Sequence, residues 1–149
     1  MYKSIVVGTD GSSTARGAVD EAARLAKAFD APLHLVYAVS QSGAAAAAVG
    51  VGAPGMAGAG ALWDDMARDQ AEERLASLAG TLRADGVKVE SHVVPGSAVG
   101  ALLDVAAATT SDLVVVGSKG MTGARRVLGS VPNGVAHRAN CSVLIVKTV

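Results

Sequence analysis

Aromatic side chains are scarce in this chain: Tyr2, Phe29, Tyr37 and Trp63 are 3% of its 149 residues. Half of the residues are apolar, so a core exists, but it must be built from Val, Ile, Leu and Ala. Such a core suits parallel strands covered on both faces by Ala-rich helices. Cysteine is nearly absent too. Cys141 alone cannot form a disulfide framework, which points to a reducing compartment. Net charge is absent, with 13 basic residues balanced by 13 acidic ones. That excludes a bulk electrostatic partner, so neither nucleic acid nor an anionic membrane is expected.

Long hydrophobic runs are also missing. Asp10 breaks the apolar N-terminal stretch before a signal-peptide core could form. The charge-free stretch 31–63 holds Pro32 and Pro54, and its second half is mostly Gly and Ala, too weakly apolar to hold a helix in lipid. The expectation is a soluble, cytoplasmic protein forming one domain over 1–149.

Several motifs of known chemistry are lacking. There is no G-x-x-x-x-G-K-[ST] phosphate loop and no G-x-S-x-G nucleophile elbow. Gly50-Val51-Gly52-Ala53-Pro54-Gly55 matches G-x-G-x-x-G, but an alanine run precedes it where a strand is required. His34, His92 and His137 are predicted on separate elements without metal-like spacing, so no metal site is expected. Cys141 reads as a packing residue, and Trp63 and Met66 as core or loop anchors.

What is present is a regular alternation of elements. Residues 3–9 are β-branched and read as a strand. Residues 13–29 carry apolar side chains at helical spacing, with Ser12 or Ser13 as N-cap. A second strand spans 33–39, and the Gly/Ala-rich segment 40–61 reads as a flexible loop. A helix is predicted over 62–84, with Leu62, Met66, Leu75, Leu78 and Leu82 on one face and Asp85-Gly86 ending it. Its charged run 64–74 reads as a solvated face with pairs four residues apart. Strands at 87–94, 112–116 and 142–147 alternate with helices capped by Ser97 and Ser130. The βαβαβαβαβ order predicts an α/β fold whose ligand sits beyond the strands' carboxyl ends.

Two loops at those ends could carry chemistry. In Gly8-Thr9-Asp10-Gly11-Ser12, Asp10 could accept hydrogen bonds from a ribose or an adenine amino group, or Asp10 or Ser12 could simply cap the first helix. Val116-Gly117-Ser118-Lys119-Gly120 is followed by Gly129-Ser130 at a helix start. Glycine turns and a helix N-terminus together offer amides to a phosphate, and Lys119, Arg125 and Arg126 could add charge. The same residues could equally be a turn with a solvated basic face.

These two ends, with Val114–Val116, Val127–Val131 and Val143–Val146, resemble the universal stress protein family over the whole chain. Its ATP-binding branch shows G-x2-G-x9-G-[ST], whereas here eight residues separate Gly120 from Gly129. The resemblance implies a Rossmann-like five-stranded parallel sheet of order 3-2-1-4-5 with helices on both faces. It implies an adenine-nucleotide site using Gly8, Thr9 and Asp10 near base and ribose and the Ala38 backbone at the adenine edge. Val116 and Gly117 would line the ribose, and Lys119, Gly120, Gly129, Ser130 and Val131 the phosphates. The implied ligand is ATP with Mg2+ as its companion ion, or a nucleotide with fewer phosphates such as cyclic AMP or AMP. The resemblance also implies a regulatory, stress-response role and a homodimer through 142–148. Two alternatives stand beside it: a slow ATP hydrolase built on Asp10, and a nucleotide-independent dimeric module that captures a partner with 40–61.

Overall fold

Ile5-Val6-Val7 and Leu113–Val116 have no polar side to turn to water, so a sheet containing them must be covered on both faces. The computed structural model describes residues 1–39, 57–119 and 129–148. In it β1 (Ile5–Gly8), α1 (Ser13–Phe29), β2 (Leu33–Val39), α2 (Ala57–Ala84) and β3 (Val89–Pro95) are followed by α3 (Ala98–Ala108), β4 (Leu113–Gly117), α4 (Ser130–Arg138) and β5 (Ser142–Val146). All pairings are parallel, and the strand order is β3-β2-β1-β4-β5. The Gly50–Gly55 match, Gly120, Arg125, Arg126 and the 40–56 part of the predicted loop lie outside the described residues.

The pleat divides the core in two. Ile5, Val7, Leu33, Leu35, Leu113 and Val115 face α1 and α2, while Val6, Val36, Val114 and Val116 face α3 and α4. On α1, Ala18, Ala22 and Ala26 are buried at four-residue spacing, so a face of methyl groups brings the helix close to the sheet. Ser12 Oγ caps this helix by accepting from the Ala15 amide at 3.2 Å.

α2 departs from its predicted bounds, for it begins at Ala57 rather than at 62. The segment 57–61 alternates Ala with Gly, and alanine, the strongest helix former, extends the first turns across the glycines. Its predicted apolar face is only half right. Ala71, Leu75, Ala79 and Leu82 are buried, but Leu62, Trp63 and Met66 are 60%, 66% and 48% exposed. A helix of 28 residues is about 42 Å long, against about 23 Å for a seven-residue strand. The first turns therefore run past the sheet, and Trp63 and Met66 have no core to enter. Arg68 and Glu72 form the expected pair along its solvated face, at 3.3 Å.

Two smaller corrections concern β3 and α4. β3 does not alternate cleanly: Val89 is buried but Glu90 and Ser91 are both exposed, as an edge strand allows, and Pro95 closes it. α4 is capped by Gly129, not Ser130, with no side-chain cap bond. No helix among the described residues is long and apolar enough to cross a membrane.

The amino-terminal edge of the sheet is tied by Asp112. Its carboxylate accepts from the Lys3 amide at 3.0 Å through both oxygens and from the Ser4 amide at 3.1 Å. Beside it, Ser4 Oγ and Ser111 Oγ are hydrogen-bonded at 2.7 Å in the core. Burial opposes ionisation of Asp112, but the Lys3 and Ser4 amides outweigh it and hold the carboxyl below its ordinary range. A carboxyl lowered in the folded state adds stability above its unfolded pKa and loses it as pH falls through the folded value. Asp112→Ala is expected to cost about 1–3 kcal/mol in urea denaturation at neutral pH, and the difference from the parent should shrink below the ordinary carboxylate range. A cost that does not change between neutral and acidic pH would show that the charge contributes nothing.

Candidate functional site

Every described helix that follows a strand starts at the carboxyl edge of the sheet, and the order reverses between β1 and β4. At that point lies a cavity of about 520 Å³, within the range of small-molecule sites. Ten of the eleven residues singled out in the sequence line it: Gly8, Thr9, Asp10, Ala38, Val116, Gly117, Lys119, Gly129, Ser130 and Val131. The eleventh, Gly120, lies outside the described residues. Ser12, Thr14, Val36, Ser97, Ala98 and Leu102 also line it and were not singled out as site residues. Ser12 and Ser97 were legible as helix caps, and a cap that follows a parallel strand necessarily lies at this edge. Val36 and Leu102 carried no signal beyond that of core residues.

The loop after β1 is held by its own polar groups. The Thr9 amide donates to the Val36 carbonyl at 2.9 Å, and Thr9 Oγ1 accepts from the Gly11 amide at 3.2 Å. Asp10 Oδ1 accepts from the Ser12 amide at 2.8 Å. Ser12 therefore caps α1, while Asp10 shapes the turn and borders the cavity. Gly11 takes the left-handed conformation that closes this turn, with φ +79°.

Across the cavity, the Ser118 amide donates to Val146 at 2.8 Å, and the Ser118 carbonyl accepts from the Gly129 amide at 3.2 Å. This bond brings the start of α4 against the end of β4. Inside α4 the Asn133 amide donates to Gly129 at 3.2 Å, and Pro132 has no N–H to place. The Ser130 and Val131 amides have no acceptor among the described residues. Two amides at the positive end of a helix dipole, without an acceptor among the described residues and bordering a cavity, are suited to an anion. Asp10 and Lys119 are the ionisable side chains among the described lining residues, one of each sign. Val36, Leu102 and Val116 give the cavity an apolar floor.

Gly117 lines the cavity and also packs closely against Thr148. A Cβ built there meets Thr148 Cγ2 at 3.1 Å, so its missing side chain is needed for the seating of Thr148. Thr148 in turn donates its amide to Ser118 Oγ at 3.2 Å.

Cys141 is half-buried, and burial, followed by the nearby Asp112 charge, pushes its thiol up, as suits a packing residue. The histidines do not stay apart as the sequence suggests. β2 and β3 pair so that His34 and His92 meet, with His34 Nδ1 and His92 Nε2 at 3.0 Å. Only the strand register brings them together, and the spacing in sequence does not disclose it.

The Universal stress protein family pattern matches residues 1–147. A universal stress protein of Mycobacterium tuberculosis is 37% identical over 151 residues, covering 99% of this chain and 97% of that protein. A solved universal stress protein in complex with cAMP is 34% identical, with a TM-score of 0.65 over 99% of this chain and 98% of that one. The universal stress protein UspA of Lactobacillus plantarum superposes with a TM-score of 0.81 over 98% of both chains, and its 23% identity makes that a likeness of fold.

Gly117→Val is expected to destabilise the fold by about 1–3 kcal/mol through the clash with Thr148. Thr148→Ala in the same chain should recover part of that loss in a double-mutant cycle. Strictly additive effects in thermal unfolding would refute the contact.

Proposed function

This chain belongs to the universal stress protein family, and from that premise we propose that it binds an adenine nucleotide in the cavity between the ends of β1 and β4. The observation that carries the reading is the pair of amides, Ser130 and Val131, that have no acceptor among the described residues at the start of α4 beside that cavity. They fit a phosphate, while the apolar floor of Val36, Leu102 and Val116 fits a base. Asp10 would bond the ribose or the adenine, and the Ala38 backbone would meet the adenine edge.

A ligand with one phosphate is favoured. The two amides that the described residues offer at this helix start match a single phosphoryl group, and the relative in complex with cAMP supports the same choice. Cyclic AMP is therefore proposed to bind more tightly than ATP. With ATP, Mg2+ would rest mainly on phosphate oxygens and water, because Asp10 is the one carboxylate among the described lining residues. One oxygen of that carboxylate already accepts from Ser12, which supports binding over hydrolysis. The proposed role is that of a cytoplasmic stress-response regulator. β5 is an edge strand whose Val143–Val146 are only partly buried, and it is the edge we assign to a homodimer.

Calorimetry with cyclic AMP, AMP, ADP, ATP and adenosine tests the reading, and no heat from any nucleotide at millimolar concentration would remove it. Ser130 is the first residue of α4, where proline is tolerated, and Gly129 at ψ 162° accepts a following proline. Ser130→Pro deletes one amide hydrogen and should weaken nucleotide binding about tenfold or more while leaving adenosine unchanged. Ser130→Ala keeps the amide and should change little. Equal losses for adenosine and nucleotides in Ser130→Pro would move the phosphate elsewhere.

A further inference from the structure

Away from the cavity, the seam between β2 and the edge strand β3 carries a polar group that nucleotide binding does not use. The register sets His34 opposite Glu90 and Val36 opposite His92. Strand alternation places all four on the face covered by α3 and α4, where Val6, the other neighbour of His34, and Val36 belong to the core. His34 is 5% exposed, His92 half-buried and Glu90 exposed, so the group runs from core to water.

The distances are those of a ligand set. His34 Nδ1 lies 3.0 Å from His92 Nε2 and 3.5 Å from Glu90 Oε2, and the three atoms fall within 4.8 Å of one another. A tetrahedral ion about 2.0–2.1 Å from each donor needs neighbouring donors about 3.3 Å apart. The two measured edges lie on either side of that value. Burial first, then the neighbouring His92, keep His34 below the ordinary histidine range, with Glu90 pulling the other way. A neutral imidazole keeps one nitrogen lone pair for a metal, and the proton shared between His34 Nδ1 and His92 Nε2 would pass to the outer nitrogen of its ring when an ion binds. Two imidazoles with one carboxylate suit zinc and its first-row neighbours, whereas calcium and magnesium favour oxygen-only shells.

We propose that His34, His92 and Glu90 form a site for a divalent transition metal of the zinc class, with the fourth position open to water at the sheet edge. Its ion would tie β3 to β2 close to Val36, which lines the cavity. The site does not depend on nucleotide, so it stands or falls separately from the nucleotide reading.

The test is a titration of the nucleotide-free full chain with Zn2+ by calorimetry, with Co2+ absorption as the probe of geometry. One ion per chain is expected, together with a tetrahedral cobalt spectrum that zinc abolishes. His92→Gln and Glu90→Gln, both at exposed or half-exposed positions, should each weaken zinc at least about tenfold. His137→Gln on α4 should leave binding unchanged. His34→Gln should abolish binding, with circular dichroism confirming that this buried variant folds. No binding of zinc at millimolar concentration, or unchanged affinity in His92→Gln, would overturn the proposal and leave only a hydrogen bond between two histidines.

Discussion

In a sheet whose strands all run one way, each strand must hand the chain to a helix at the same edge. Here that constraint gathers the starts of α1, α3 and α4 around one cavity. Each helix start has amide hydrogens that its own backbone cannot satisfy. At α1 and α3 a serine takes one of them, through Ser12 and Ser97. At α4 the cap is Gly129, which has no side chain, and Pro132 removes a further donor. At all three starts the first two amides have no acceptor among the described residues, and of the three only α4 also lacks a side-chain cap. The anion site proposed at α4 rests on the topology together with these two residue choices.

Close packing fixes where that start lies. A Cβ on Gly134 would come within 2.8 Å of Val99 Cγ2, so α3 and α4 approach each other only because α4 carries glycine there. Gly8 does similar duty under Leu102, whose Cδ2 would lie 3.2 Å from an added Cβ. A core with few aromatics makes such approaches possible, since Ala and Val faces let helices settle near the sheet. The cavity walls are thus set by small residues in the core as much as by the loops that border it.

Much of this was legible in the sequence. α1 has its predicted bounds because apolar spacing and a serine cap agree over 13–29. The two glycine loops could be placed at the sheet's carboxyl edge because strand and helix alternate without exception. The rest depended on long-range geometry. Leu62 and Met66 continue the helical pattern of α2, but periodicity does not say where the sheet beneath it ends. Gly117 can be read from sequence as a residue bordering the cavity, but its packing against Thr148, distant in sequence, appears only in the fold. His34 and His92 lie 58 positions apart, and only the β2–β3 register makes them neighbours.

The position of that histidine pair has a physical reason of its own. Two helices must cover five strands on each face. On the α1–α2 face, α2 reaches the edge strand and Val89 is buried beneath it. On the other face, α3 and α4 pack over β2, β1, β4 and β5, and Val94 is the one apolar residue that β3 adds there. At this seam exposure grades from buried His34 through half-buried His92 to exposed Glu90. Imidazole suits such a seam, because one ring edge can pack while the other keeps a polar partner. The thin cover that the described helices give β3 on this face therefore accounts for polar side chains at the β2–β3 seam, with their donor atoms turned toward one another instead of into the core.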